Sequence, residues 1–159
     1  MSQIDAIDER ILTELQANGR LTMKALAERV GLSSPAMIER VRRLEERGII
    51  AGYRAEIALK EITPHVTVFV TVELEHHRHE HFAAFEQAVK QHDVIVAAWA
   101  LGGGFDYLLQ VVTHDIDSYQ RLIDTLLEAG LGLKRYYTYI VTKAVKDAPP
   151  PFGVLLDAD

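Results

Sequence analysis

The chain has 159 residues, 48% hydrophobic and 25% charged, with a formal net charge of −6 and no cysteine. Such a length holds one domain or two small ones around a real core. Lack of cysteine excludes disulfides, zinc ribbons and thiol chemistry, and the longest apolar run, 94–101, is too short to cross a membrane.

Charge is unevenly spread. Residues 1–60 hold ten Lys or Arg against nine Asp or Glu, and residues 61–159 hold seven against fourteen. A front of +1 and a back of −7 suggest two domains with different partners. The polar, acidic opening (Ser2, Gln3, Asp5, Asp8, Glu9) does not read as a secretory leader, so a cytoplasmic protein is expected.

In chain order, a first helix is predicted from about Asp5 to Ala17, with Ile7, Ile11, Leu12 and Leu15 at helical spacing. Asn18-Gly19 supplies a stop, since both residues tolerate positive φ. Thr22 caps a second helix, Met23 to Val30, with Ala25, Leu26 and Val30 inward and Gly31 at its end. Ser33 or Ser34 caps a third, which carries Pro35 in its first turn and runs to Arg47 before Gly48. Helix, short turn and helix after a leading helix is the helix-turn-helix arrangement.

That third helix gathers Arg40, Arg42, Arg43 and Arg47. At about 100° per residue, Ile38, Val41, Leu44 and Glu45 fall on one side, with Met37 toward it. Ala36, Glu39, Arg40, Arg43 and Arg47 fall opposite, and Arg42 lies at the edge. Small residues let a helix approach a DNA major groove, and arginine binds phosphate or guanine. The bland alternative is a solvated helix whose arginines pair with Glu39, Glu45 and Glu46. The tri-helical context favours double-stranded DNA, with Thr22, Ser33, Ser34, Ala36, Arg40, Arg42 and Arg43 as candidate contacts. "GIIAGYRAEI" then reads as a short strand or wing, with Arg54 near a phosphate.

The junction is expected at "KEITPH", 60–65, where helical patterning yields to strict alternation. Val66 to Leu74 is a strand with one apolar face. A helix follows from about Glu80 to Gln91. "VIVAAWAL" is a buried strand, "GGGF" a turn and "DYLLQVV" the returning strand. "DIDSYQRLIDTLLEAG" is a helix capped by Asp115 or Asp117, and "LKRYYTYIVTKAV" the last strand. This βαββαβ order is the split βαβ, or ferredoxin-like, fold, with helices on one sheet face. A second copy of the sheet is expected on the other, giving at least a homodimer.

Gly102, Gly103 and Gly104 stand beside Asp106. A tight hairpin explains two glycines. The surplus also suits backbone N–H groups approaching a carboxylate while Asp106 accepts from an ammonium group, together matching an amino acid. His76, His77, His79 and His81 lack metal-site spacing and read as a hydrophilic junction, so no metal site or cofactor is expected. No nucleophile–base pair or phosphate loop marks an enzyme. The tail, "DAPPPFGVLLDAD", reads as loose, or as an apolar patch at Phe152–Leu156 docking on a neighbouring subunit.

The helix-turn-helix with "LSSPAMIERVRRLEERGIIAGYRA", then "GGGFDYLLQVV" and "DIDSYQRLI", resembles the Lrp/AsnC (feast/famine) transcriptional regulators over about residues 4 to 146. The resemblance implies an α+β chain in three parts. These are a (winged) helix-turn-helix domain with linker over 1–60, a ferredoxin-like RAM domain over 61–146 and a Pro-rich tail over 147–159. It implies a dimer or octamer whose RAM domains bind a small effector, commonly an amino acid, between neighbours. Ser33, Ser34 and Arg40 match the family's recognition-helix motif, Gly103 and Asp106 its loop, and Thr138 a threonine facing the effector. Gly102 and Gly104 replace bulkier residues, Tyr136 stands where a small polar residue is frequent, and the Thr63-Pro64 linker and long tail depart from the pattern. Tyr136 would reshape the pocket. The rival class is an effector-sensing or protein-interaction module without DNA binding.

Overall fold

The computed structural model describes residues 4–156. Two compact units divide between Glu56 and Ile57, and the tail from Lys146 groups with the first.

The first unit, the head, begins with α1 (Ala6–Ala17), α2 (Met23–Val30) and α3 (Ser34–Glu46). Ile11, Leu15, Leu26, Ala27, Val30, Met37, Val41 and Leu44 form its buried core, each large apolar side chain contributing about 1.5–3 kcal/mol when fully buried. Asp5 caps α1, accepting from the N–H groups of Ile7 at 2.9 Å and Asp8 at 2.8 Å. The end of α1 differs from expectation. Asn18 is extended, at φ −151°, and its side-chain oxygen accepts from the Arg20 N–H at 3.0 Å. An asparagine turn thus ends the helix without a left-handed residue. In α2 the inward alanine is Ala27, while Ala25 is half-buried.

The strand or wing expected after α3 does not form: residues 51–58 carry no regular secondary structure. The first unit holds no strand among its described residues, and an isolated strand leaves its backbone groups unsatisfied. Tyr53 instead reaches back, donating to the Glu45 carboxylate at 2.9 Å; burial, then Glu45, pushes its pKa up to about 12. As far as Leu156, the tail is also not loose. Phe152–Leu156 forms a short helix, α6. Phe152 and Leu156 wall an apolar cleft with Leu12, Leu15, Ile49 and Ile50 of this same chain, and Gln16 donates to the Pro150 carbonyl at 3.2 Å.

The second unit runs through a 3₁₀ turn (Leu59–Glu61), β1 (Val66–Leu74), α4 (His79–Val89), β2 (Ile95–Ala100), β3 (Tyr107–Thr113), α5 (Ile116–Glu128) and β4 (Leu133–Ile140). The sheet is antiparallel, in order β2-β3-β1-β4. Strict alternation sends Val68, Val70, Val72 and Leu74 to the helix side, where they bury Phe85, Tyr119, Leu122, Ile123 and Leu126. Asp115 caps α5, accepting from the Ser118 N–H at 2.7 Å. β2 is a correction: it lies at the sheet edge, and Val96 and Trp99 are exposed rather than buried. A continuous apolar run satisfies both faces only if something covers both, and α4 and α5 cover one.

Candidate nucleic-acid interface

α2 and α3 are joined by Gly31, Leu32 and Ser33 alone. Gly31 takes the left-handed conformation, φ 79°, and both its N–H and that of Leu32 reach the Ala27 carbonyl at 2.9 Å. A side chain at that φ would be strained. Thr22 caps α2 by accepting from Ala25 N–H at 3.1 Å, and Ser33, rather than Ser34, caps α3 by accepting from Ala36 N–H at 3.4 Å. Their hydroxyls are engaged in holding the two helices. Ser34 opens α3 and is half-buried; Ala36, in the first turn, is exposed.

The buried stripe of α3 is Met37, Val41 and Leu44. It therefore centres one position earlier than the helical wheel placed it, and two residues change sides. Ile38, expected inside, is 52% exposed. The Arg40 side chain, expected outside, is only 24% exposed. Arg40 Nη1 lies 2.8 Å from Asp5 Oδ2 and 2.7 Å from Asp8 Oδ1, carboxylates of the α1 N-terminus. Asp5, then Asp8, raise the Arg40 pKa. The N–H of Asp8, then Arg40, lower that of Asp5.

Arg42 and Arg43 are exposed on α3. Arg42 bonds Glu39 at 2.7 Å and pairs with Glu46 on its own helix. Glu39 first, then Glu46, raise its pKa, and Arg42 lowers that of Glu39. Arg43 stands 3.9 Å from Asp8. The helix thus exposes Ala36, Ile38, Glu39, Arg42 and Arg43 together, an apolar, acidic and basic mixture with donors and acceptors for base edges and phosphates. Sequence reasoning missed Ile38. Met37, about 100° away round the helix, fills the core place that the wheel assigns to Ile38.

In the second unit Gly102–Gly104 close the β2–β3 connection, where the Leu101 N–H donates to the Asp106 carbonyl at 2.8 Å. A Cβ on any of these three glycines would meet nothing within 4 Å. Asp106 Oδ2 accepts from the Leu74 N–H at 2.7 Å and lies 3.2 Å from His77 Nε2. Across β1, Tyr136 pairs with Val72 and packs on the core, and the Thr138 hydroxyl meets that of Tyr119. Val72, hydrogen-bonded to the Asp106 N–H at 2.9 Å, joins both sides. The histidines pair off: His77 stacks on Phe82, and His76 meets His81 at 5.1 Å. Among the described residues no three metal-binding side chains converge.

A family model described as the Lrp/AsnC ligand-binding domain matches residues 67–151, and one described as winged helix-turn-helix DNA-binding matches residues 4–51. The chain is 44% identical over 144 residues to the transcriptional regulatory protein DoeX of Halomonas elongata, covering 91% of each. It is 38% identical to the leucine-responsive regulatory protein of Rhizobium meliloti, covering 92% of this chain and 94% of that one. A Neisseria meningitidis transcriptional regulator solved with L-Met superposes at TM-score 0.89 and 30% identity, covering 96% of this chain and 99% of that one.

Proposed function

The chain belongs to the Lrp/AsnC family of DNA-binding transcriptional regulators, and from that premise we propose that α3 enters the major groove, that paired sheets set the spacing of two heads, and that an amino acid adjusts their arrangement. Its relatives carry the names of regulators, so a module without DNA binding is not favoured.

The observation that carries the DNA site is the exposed face of α3, with Ala36, Arg42 and Arg43 in reach of a duplex and Ser33, Ser34 and Thr22 at the ends of the two motif helices. Arg40 serves this site from behind. No helix of the described residues is long and apolar enough to cross a membrane; a DNA partner supports the reading of a cytoplasmic protein. A salt-titrated binding assay on the full chain tests the reading. Arg42→Ala or Arg43→Ala should flatten the slope of log affinity against log salt by about 0.9 for each phosphate that the variant no longer neutralises. Affinity and slope unchanged in both would remove this face as the interface.

For oligomerisation, the open sheet face supports a homodimer, with octamers built from dimers. There Leu108 sits beside Trp99 and Thr71, Thr71 beside Tyr137, and Phe69 beside Tyr139. Trp99, Tyr137 and Tyr139 remain exposed on it. An aromatic patch of this kind marks a protein interface.

For the effector, the relative solved with L-Met supports an amino acid. Gly102, Gly103 and Gly104 leave bare backbone beside the Asp106 carboxylate, and Tyr136 and Thr138 line the strand opposite. A thermal-shift screen of the twenty amino acids tests it, since a ligand at a hundred times its Kd stabilises by about 2.7 kcal/mol. The ligand can shift the assembly only by binding one arrangement more tightly than another.

A further inference from the structure

We infer that Asp8 is the positioning residue of the recognition helix: its buried carboxylate, with that of Asp5, holds Arg40 against α1 and so sets the angle at which α3 presents its outward side chains to a duplex. The inference rests on the reading of α3 as the DNA-entering helix.

Asp8 is 2% exposed, and among the described residues it is the only charged one so deeply buried. Burying a carboxylate is costly unless it is paired and hydrogen-bonded. Replacing a buried ion pair with apolar residues often leaves stability unchanged or improves it, so stability alone does not explain this one.

What the pair supplies is direction. The rest of the α1–α3 packing is apolar (Ile11 and Leu15 with Met37, Val41 and Leu44), and apolar attraction does not fix a roll angle. Charge-assisted hydrogen bonds do. Arg40 Nη1 meets Asp8 Oδ1 at 2.7 Å and Asp5 Oδ2 at 2.8 Å, while Arg43 Nη2 stands 3.9 Å from Asp8 Oδ2. Asp5 is itself held by two backbone N–H groups of α1. With side chains about 6 Å from the helix axis, a roll of ~20° moves their tips by ~2 Å, enough to break a hydrogen bond to a base. Arg40 therefore differs in kind from Arg42 and Arg43: it acts through the other two.

The test uses the full chain, a duplex enriched from a random library by the wild-type protein, and poly(dI-dC). Asp8→Asn keeps the shape of the side chain and removes its charge. Arg40→Lys keeps the charge, but its nitrogen lies one bond nearer the backbone than the Nη1 that makes both contacts, so it cannot hold both carboxylates at these distances. Each variant should weaken binding to the enriched duplex by about tenfold or more, out of a specific-to-nonspecific ratio on the order of 10³ or greater. Binding to poly(dI-dC), its salt slope and the circular dichroism should stay at wild-type values. A merely structural role would lower both duplexes together. Enriched-duplex binding within twofold of wild type in Asp8→Asn overturns the inference. If Asp8→Asn fails to fold, Arg40→Lys decides alone: a phosphate contact would survive the exchange, and a positioning bridge would not. A wild-type chain that enriches no duplex removes the DNA-binding reading, and the positioning role with it.

Discussion

The Asp106 carboxylate sits 2.7 Å from the backbone nitrogen of Leu74, where the β1–β4 register slips at Glu73/Leu74. On its other side Leu74 lies beyond Val72↔Tyr107, the last pair of the β1–β3 ladder, and the Asp106 side chain supplies the acceptor that β3 no longer offers. The residue proposed to meet an effector's ammonium group is thus also a structural residue. Asp106→Ala should lower stability by about 1–3 kcal/mol, the cost of orphaning a part-buried donor. It should also abolish the thermal shift given by the best amino acid of the screen. An unchanged ligand shift on the destabilised background would release Asp106 from the binding site.

Glu39 and Glu46 hold Arg42 in the free head, so on the proposed reading of α3 DNA competes with carboxylates of the same helix. Glu39→Gln combined with Glu46→Gln should tighten binding to non-specific DNA and steepen its salt slope, by at most about 0.9 per released arginine. The expected consequence is a lower ratio of specific to non-specific affinity, read by competition with poly(dI-dC). A slope equal to the wild type's would mean that these carboxylates do not keep Arg42 from phosphate.

The Asp115 cap should make α5 sensitive to acid. Its hydrogen bonds to Ser118, then to His114, hold the carboxyl far below the usual range. A depressed folded pKa contributes stability that is complete above the unfolded value, about 3.9, and is lost as pH falls through the folded value. Asp115→Ala should therefore lower Tm at pH 7, and the gap to wild type should shrink steadily below pH ~4. A gap independent of pH would assign the effect to helix propensity instead.

Phe152 and Leu156 reach the head from the far end of the chain. Phe152→Ala should cost the head about 1–2 kcal/mol, the share expected of a half-buried aromatic ring. Hydrogen exchange should report the loss in α1 and residues 49–53, leaving the sheet amides at wild-type protection. Protection that falls evenly across both units would contradict a local role for the tail.

If the open sheet face pairs as proposed, Trp99→Asp with Tyr137→Asp, both on that face, should convert the dimer to monomers in sedimentation. Far-UV dichroism should stay unchanged, because both rings are exposed within one chain. Persistence of the dimer would place the interface elsewhere.

Local chemistry made much of this protein legible in one dimension. Thr22, Asp115 and Gly31 announced helix ends because caps are decided by the few residues around them. The alternation of Val66–Leu74 announced a strand with one buried face, since the side-chain period of a strand is fixed by its backbone. Order and type of elements were enough to reach the α+β architecture. What a helix or strand faces is another matter, because it depends on partners distant along the chain. Ile38 and Arg40 exchanged sides because Asp8, 32 positions from Arg40, buries a carboxylate that the guanidinium can reach. β2 became an exposed edge because the sheet order placed it there, and the tail found its own head, Pro150 meeting Gln16 across 134 positions. Patterning states which residues shun water; only the folded chain decides what takes the water's place.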